Sequence, residues 1–499
     1  AEPRLDQRAG VETGFSDNID LAPDAAAEEA FYTTLTHSGA FQLDGNRLDL
    51  DLYSNLQVQA ESSEGSTEIE HALRGVGNWE AVEDWLYLDV AGSSTRQLLG
   101  NDGGRSATGR VSDRDRATVS VVDVSPYVQR TLGSYARGEL RLRHTEVFVT
   151  DQGQSSEEVG DRRIDEQSLA ITSARRLLHR TQLRGEASHL TSEAVRGDAD
   201  DGEDDSLEIY QGAVTASYAI TRQIAVLATG GATEVDADDP RDLSGPLWDI
   251  GVELEGNRLS GSATVGQRYN EPRATLDATY RHSPKTSIEA SLTRELGTSQ
   301  GAVAALNRAD IADPTTEAIF TDAFTEDLDE GVALTWRGRV QATTRIGRNT
   351  LRLGVRYADR EFAQTRDTTW EGRFRWDRQL SRKWTTRLNL SARQQEENEA
   401  TETLTAGVRL ELARALTENS EVYVGVARTD QSSDVAADEY SENVAFIGGR
   451  RLADLTFALP VAGLVGVALL ASLGAISLSR VEDRPFVLWR TTANVLWFH

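Results

Sequence analysis

The sequence predicts an all-β fold, a transmembrane antiparallel up-and-down barrel of about 22 strands, with 20 and 24 strands as alternatives. The first observation is a strict alternation of apolar and polar side chains in many segments. Segment 348–357 is an example, with alternating Leu351, Arg352, Leu353, Gly354, Val355 and Arg356. Successive strand side chains point to opposite faces, so such a segment has one apolar and one charged face. A barrel with lipid outside and water inside requires that arrangement. In a soluble sandwich it would place arginines in the apolar core and destabilise the fold.

The second observation is the rhythm of the connections. Turn residues divide residues 8–457 into about 22 strand candidates, and short turns alternate with long loops. An up-and-down barrel produces this rhythm, because its periplasmic turns are short and its extracellular loops are long. The short turns fall near residues 44–46, 83, 133–134, 180, 221–222, 256–257, 283–284, 345–349, 381–382 and 417–419. The long connections lie at 16–29, 60–68, 100–117, 151–165, 196–206, 236–245, 297–330 and 430–439.

Composition narrows the class of protein. The chain of 499 residues has no cysteine, which excludes disulfides, thiolate metal sites and cysteine nucleophiles. Its net charge is −28, with 50 arginines and 2 lysines, and acids are concentrated in predicted loops such as 155–161 and 197–205. This balance argues against nucleic acid as a partner, since duplex binding needs net basic patches. Methionine is absent even at position 1, so we expect a mature chain from which a signal peptide was removed.

The predicted organisation has three parts: an N-terminal extension at 1–7, an outer-membrane barrel at 8–457 and an apolar C-terminal tail at 458–499. The run 457–479 carries no charge for 23 residues, so it is a transmembrane-helix candidate. A helix in the lumen, a helix beside the barrel and an unusual C-terminus are the alternatives for it. The long segment 297–330 contains stretches that favour short helices. It either folds inward to narrow the lumen or stays outside as a lid.

Several short blocks, in their order along the chain, resemble those of a known family. They are residues 12–23 (ETGFSDNIDLAP), 45–47 (GNR), 125–135 (SPYVQRTLGSY), 245–248 (GPLW), 266–269 (GQRY), 348–351 (RNTL) and 440–443 (YSEN). Together they resemble the PEP-CTERM-system-associated outer-membrane barrels, found alongside exosortase and exopolysaccharide genes in Gram-negative bacteria. The resemblance covers residues 8–450 and implies an envelope barrel linked to exopolysaccharide systems, without catalytic residues. The tail after residue 457 departs from the family pattern.

No catalytic motif stands out in the sequence. The seven histidines have no metal-binding spacing, and the chain has no nucleophile elbow, P-loop or dinucleotide-binding glycine pattern. The acidic run 198–205 offers oxygen ligands for Ca²⁺, but the twelfth position from Asp198 is Ile209, so it is not an EF-hand. Divalent ions that bridge such loops to lipopolysaccharide are the alternative to a solvated loop. We therefore predict no enzyme and no cofactor, with an outer-membrane hydrolase as the least favoured function.

The best functional clue is charge on the predicted inward face of the strands. Nine arginines are the candidate lumen-lining residues: Arg141, Arg143, Arg352, Arg356, Arg373, Arg375, Arg387, Arg393 and Arg409. They are mixed with acids, so cross-strand ion pairs, each contributing ~0.2–1 kcal/mol to the wall, are one explanation. An anion-favouring path, suited to acidic polysaccharide, is the other, because charged rings set pore selectivity.

These observations predict a non-enzymatic channel of the bacterial outer membrane, linked to exopolysaccharide export or to passage of anionic solutes. The alternative is a structural barrel that scaffolds an exopolysaccharide or protein-sorting machinery without transport. The expected partners are outer-membrane lipid, lipopolysaccharide and polysaccharide-export components. Known barrels of about 22 strands are plugged, and few residues precede the first predicted strand. We therefore expect occlusion by segment 297–330, by the tail or by a partner.

Overall fold

The computed structural model describes residues 3–62, 67–98, 106–108, 116–150, 160–174, 180–196, 206–237, 239–308, 331–398 and 401–454. Within these ranges, 22 strands form one antiparallel sheet in which each strand pairs with its neighbours along the chain. The first strand also pairs with the last, with Val11 opposite Gly449, so the sheet closes into a barrel. The predicted fold class and strand number are confirmed.

The strands are long enough to cross a bilayer when tilted. They are β1 (Arg4–Ser16), β2 (Ala30–Asp44), β3 (Leu48–Glu61), β4 (Thr67–Val82), β5 (Leu86–Leu98), β6 (Arg116–Leu132), β7 (Ala136–Thr150), β8 (Asp161–Ser173), β9 (Thr181–Arg196), β10 (Leu207–Ala219), β11 (Ile224–Ala237), β12 (Gly245–Glu255), β13 (Leu259–Arg268), β14 (Glu271–Ser283), β15 (Thr286–Thr298), β16 (Val332–Ile346), β17 (Asn349–Glu361), β18 (Arg366–Gln379), β19 (Trp384–Glu397), β20 (Thr401–Thr417), β21 (Ser420–Ser433) and β22 (Tyr440–Asp454). Helix α1 (Ser299–Arg308) follows β15, and single 3-10 turns lie at Asp24–Ala26 and Ala436–Asp438.

The outer face of the wall is apolar and the inner face is polar. In β21, Val422, Val424 and Val426 are exposed on the outside, whereas Tyr423 between them is buried on the inside. A closed sheet leaves no unpaired strand edge, so the backbone polar groups of the wall are satisfied within lipid. This combination defines a transmembrane barrel, with the lumen as its polar side.

The two ends of the barrel differ in their connections. The start of β1 and the end of β22 lie at the end that carries the short turns, called here the short-turn end. The opposite, long-loop end is extracellular in bacterial barrels.

β1 begins at Arg4 and pairs with β22 from Asp6, so the predicted extension 1–7 overlaps the first strand. The predicted tail 458–499 lies outside the described residues, and among the described helices none is long and apolar enough to cross a membrane.

The predicted alternation of short and long connections is not strict. At the long-loop end, β13 and β14 are joined by Tyr269 and Asn270, whose φ angles are 57° and 55°. Positive φ at both central residues matches the two-residue turn that fits the twist of a hairpin. The Asn270 side chain supports the turn by donating to the carbonyls of Asp242 (3.0 Å) and Ser244 (2.6 Å). Neither turn residue is glycine, so this turn lacks the residue that most often marks a tight hairpin.

Candidate functional site: the lumen of the barrel

The strand register places all nine predicted arginines on the inner face. In β17, Leu353 and Val355 are exposed on the outside, and Arg352 and Arg356 take the opposite parity. Pairing carries the same parity onto β18, β19 and β20, where Arg352 faces Arg375 and Asn389 faces Arg409. Seven of the nine therefore share one side of the lumen. Arg141 and Arg143 lie on β7, which is on the opposite side of the 22-stranded barrel from β18.

The arginines of β17 to β22 alternate with acids in what we call the ion-pair ladder. The ladder begins where Arg352 Nη1 and Arg375 Nε lie 3.0 and 3.1 Å from Asp377 Oδ2. On the next strands, Arg387 pairs with Glu411 and, at 3.0 Å, with Glu421. Arg450 of β22 pairs with the same two glutamates, so the ladder reaches the last strand.

Glu371 of β18 organises a second group of the predicted arginines. The register places Arg356 of β17 and Arg393 of β19 directly opposite Glu371 on its two sides. Arg373, two residues along β18, donates from Nε to Glu371 Oε1 at 2.5 Å. One carboxylate therefore faces three guanidinium groups.

Glu12 of β1 ties the closing strands together. Its Oε2 accepts from Arg409 Nη2 of β20 at 2.8 Å and from the Tyr423 hydroxyl of β21 at 3.1 Å. Its Oε1 accepts from the Tyr32 hydroxyl of β2 at 3.1 Å. The Arg409 guanidinium also lies 4.0 Å from the centre of the Phe446 ring of β22. These contacts span the β1–β22 seam, so this predicted arginine has a structural role as well as a place in the lumen.

The two arginines of β7 are paired in the same way. Arg141 Nη1 lies 2.6 Å from Asp89 Oδ2, and its guanidinium lies 3.9 Å from the centre of the Tyr127 ring. Arg143 Nη1 lies 2.5 Å from Glu166 Oε2. The contacts therefore support the wall-stabilising explanation for both residues. The paired guanidiniums still border the lumen, with a fifth of each side chain exposed.

Two connections of the long-loop end fold into the lumen. Residues 106–108, from the connection between β5 and β6, reach the wall formed by β21 and β22. There Ser106 Oγ donates to Glu442 Oε2 at 2.5 Å, and the Ala107 amide donates to Thr429 Oγ1 at 2.7 Å. Glu442 is fully buried and also accepts from Ser16 Oγ at 2.7 Å.

Helix α1 folds onto the opposite part of the wall. Val303 and Ala304 are buried against a cluster of inner-face residues from β6 and β7, namely Ala117, Val119, Val121, Val147 and Val149. Of the two placements that the sequence allowed for 297–330, inward folding is therefore observed for α1. Residues 309–330 lie outside the described part of the chain.

Two blocks that carried the family resemblance meet at the seam. Asp17 accepts from the Asn443 amide (2.6 Å) and side chain (2.8 Å). Asn18 Nδ2 donates to the Ser441 carbonyl at 3.0 Å and to the Ala22 carbonyl at 2.7 Å. Residues 12–23 and 440–443 thus close the long-loop end of the β1–β22 pair.

The loop 239–244 is held by a local ion pair. Burial opposes ionisation of Asp239, but hydrogen bonds from Arg241 outweigh it and lower the pKa of that carboxyl from its ordinary value. Arg241 Nη2 also donates to the Glu361 carbonyl of β17 at 3.3 Å, and Leu243 belongs to the same buried apolar cluster as Tyr269. The loop therefore covers the turn between β13 and β14.

A histidine of β4 and a serine of β5 lie within hydrogen-bond distance of each other. His71 Nε2 lies 3.0 Å from Ser94 Oγ, but Ser94 is only 4% exposed and its hydroxyl already accepts from Ser120. The Ser94 hydroxyl therefore belongs to a local hydrogen-bond network with His71 and Ser120. Within the described ranges, no group of three or more acidic or histidine side chains is arranged to hold a metal ion. The acidic run 198–205 lies outside those ranges.

Sequence reasoning missed several inner-face arginines, among them Arg450 of the ion-pair ladder, Arg268 of β13 and Arg273 of β14. Arg273 Nη1 lies 3.3 Å from Asp249 Oδ2 of β12, and the Arg268 guanidinium lies 5.9 Å from the centre of the Tyr269 ring. The signal was present, because Arg268 belongs to the block 266–269. The alternation of polar residues is hard to recognise there, because Gly266 occupies one inner-face position and β13 has only 10 residues.

No protein-family model matches the sequence, and no curated protein is similar to it. Among solved structures, the chain is similar to the siderophore receptor PirA from Acinetobacter baumannii, with 9% identity, 90% of this chain and 80% of that chain covered, and a TM-score of 0.43. It is also similar to PirA from Pseudomonas aeruginosa, with 9% identity, 90% and 80% coverage and a TM-score of 0.45. The FrpB iron transporter from Neisseria meningitidis has 10% identity, 90% and 82% coverage and a TM-score of 0.42. Similarity at this level gives no information about a substrate.

Proposed function

We propose that this protein is an outer-membrane barrel that passes anionic solutes, acidic exopolysaccharide among them, through a lumen narrowed by its own loops. The observation that carries the proposal is the row of inner-wall arginines that are ion-paired yet open to the lumen. The side chain of Arg352 is 42% exposed, and those of Arg373 and Arg375 are 34% and 26% exposed. An anion entering the lumen therefore meets guanidinium groups that remain within reach of solvent.

The physical basis of this anion preference is that an arginine of the wall exchanges its acidic partner for an anionic group of the solute. Exposed ion pairs are weak, about 0–1 kcal/mol each, because water competes for both charges. A carboxylate on a passing solute can replace Asp377 or Glu371 at little cost, and rings of charged side chains set the preference of a pore. The link to exopolysaccharide is supported by the family resemblance, and the segments folded into the lumen support a narrowed pore.

Neutralising three arginines is expected to reduce the anion preference of the pore. The variant Arg352→Gln/Arg373→Gln/Arg375→Gln retains polar side chains and removes three positive charges from the inner face of β17 and β18. We expect the reversal potential of planar bilayers under a salt gradient to shift toward that of a non-selective pore. Arg163→Gln is the matched control, since Arg163 pairs with Glu146 at 3.4 Å on the outer face.

An unchanged reversal potential in the triple variant would contradict the role of these arginines. Silence of the wild-type protein at every voltage and ionic strength would contradict transport altogether.

The second candidate function, a scaffold without transport, is favoured by residues 106–108 and α1 in the lumen. Its signature is co-purification of polysaccharide-export components with a protein that does not conduct.

A further inference from the structure

The inner wall brings together three polar residues of neighbouring strands: Asp249 of β12, Arg268 of β13 and Arg273 of β14. Asp249, Gly266 and Arg273 face each other across the three strands, and Arg268 lies in the next row toward the long-loop end. Trp248, next to Asp249, is exposed on the outer face, so Asp249 points to the lumen side. A Cβ on Gly266 would lie 2.6 Å from Asp249 Oδ1. Glycine therefore leaves the space that the Asp249 carboxylate needs.

This patch differs from the ion-pair ladder in its charge balance. Within the described part of the chain, Arg268 forms no ion pair, because Glu271 opposite it pairs with Arg294 at 3.4 Å. Arg273 has Asp249 as its partner, at 3.3 Å. Glu295 of β15 acts on Arg273 electrostatically but is itself exposed, so solvent screens its charge. Arg273 therefore has one close carboxylate, whereas the neighbouring Arg268, whose charge acts on Arg273, has none at ion-pair distance among the described residues.

Buried polar atoms of the patch have no hydrogen-bond partner among the described residues. These atoms are Asp249 Oδ1, Thr233 Oγ1, and Nε of Arg268 and of Arg273. Asp249 is 7% exposed and Thr233, on the adjacent β11, is 3% exposed. More than nine-tenths of buried polar groups in native proteins are paired, and each exception needs an explanation such as a functional role or a bound water or ion. A donor-rich and acceptor-containing patch of this kind is typical of a ligand site.

We propose that Arg268, Arg273 and Asp249 form a binding site for the acidic sugar units of a polysaccharide. This proposal rests on the proposed function and specifies the substrate class. The two guanidiniums bind the sugar carboxylate, since arginine matches that planar group with paired hydrogen bonds. Asp249 accepts from a sugar hydroxyl, because an ionised carboxylate only accepts. The same Asp249 repels an inorganic anion, so the site selects a ligand that carries both a carboxylate and hydroxyls.

Calorimetric titration of the full chain in detergent with tetragalacturonate tests the site. We expect the wild type to bind it and not to bind neutral maltotetraose. Arg268→Gln and Arg273→Gln should each weaken binding by about 10- to 100-fold, the effect of losing a charge-assisted hydrogen bond. Arg163→Gln on the outer face is the control, and heat-modified gel mobility shows that each variant is folded. Arg268→Lys, which retains the charge, should keep part of the affinity.

Asp249→Asn separates a sugar site from a simple anion site. Loss of the carboxylate should weaken tetragalacturonate binding while strengthening the binding of sulfate, because the repulsion is removed. A parallel gain for both ligands, or equal affinity of all arginine variants, would overturn the proposal. Binding that is absent from a wild-type protein that conducts anions would overturn this site alone. Binding that persists in a protein without conductance would overturn transport and leave the site standing.

Discussion

Replacing Gly448 by alanine is expected to prevent stable closure of the barrel. A Cβ on Gly448 of β22 would lie 2.5 Å from the Tyr423 ring and 2.6 Å from the backbone oxygen of Val11. Val11 cannot retreat, because it pairs with Gly449 across the β1–β22 seam. Overpacking of this kind costs about 1–3 kcal/mol, and more when backbone must move. We expect a lower urea midpoint and loss of the heat-modifiable band on gels.

The neighbouring glycine provides the control for this prediction. A Cβ on Gly449 would have its nearest contact at 3.6 Å, the backbone oxygen of Glu421, which is an ordinary van der Waals distance. Gly449→Ala should therefore leave the midpoint unchanged. The damage in Gly448→Ala also includes the hydrogen bond from Tyr423 to Glu12, since the ring must shift. Equal midpoints for the two variants would show that the seam tolerates the added methyl group.

The wall was predictable because its signal is local. A period of two assigns each side chain of a strand to one face, whatever the strand pairs with. Parity alone therefore predicted Arg352, Arg387 and Arg409 in the lumen, and in the strand register they lie on the face opposite the exposed Leu353 and Val355. Their partners were not predictable, because the bond between Arg409 and Glu12 depends on how the first and last strands meet.

The contents of the lumen depend on contacts between distant parts of the chain. The stretch 301–307 predicted a short helix, but its position against β6 and β7 follows from side chains more than 150 residues earlier. The position of segment 106–108 had no local signal, since the hydrogen bonds that attach it to the wall go to Thr429 and Glu442. Arg268 and Arg273 were missed for a different reason. Gly266 interrupts the polar positions of β13, a strand of only 10 residues, so the alternation there is hard to recognise.

A charge on the buried side of α1 is expected to open the lumen. Ala304 is fully buried against the inner wall, whereas the adjacent Ala305 on the same helix is exposed. Ala304→Asp would place a carboxylate without a partner in an apolar contact, at a cost of several kcal/mol. Burying one valine and one alanine stabilises the docked helix by only about 2–4 kcal/mol. The penalty is therefore large enough to move α1 off the wall.

Single-channel recording distinguishes the two placements of the helix. We expect Ala304→Asp to raise the mean conductance several-fold over the wild type, since the helix no longer occupies the space beside β6 and β7. Ala305→Asp adds the same charge at an exposed position and should conduct like the wild type, which controls for electrostatics. If both variants gave the same conductance, α1 would be packing without control over the pore. If Ala304→Asp alone gained conductance, the few apolar contacts of Val303 and Ala304 would be what holds the lumen narrow.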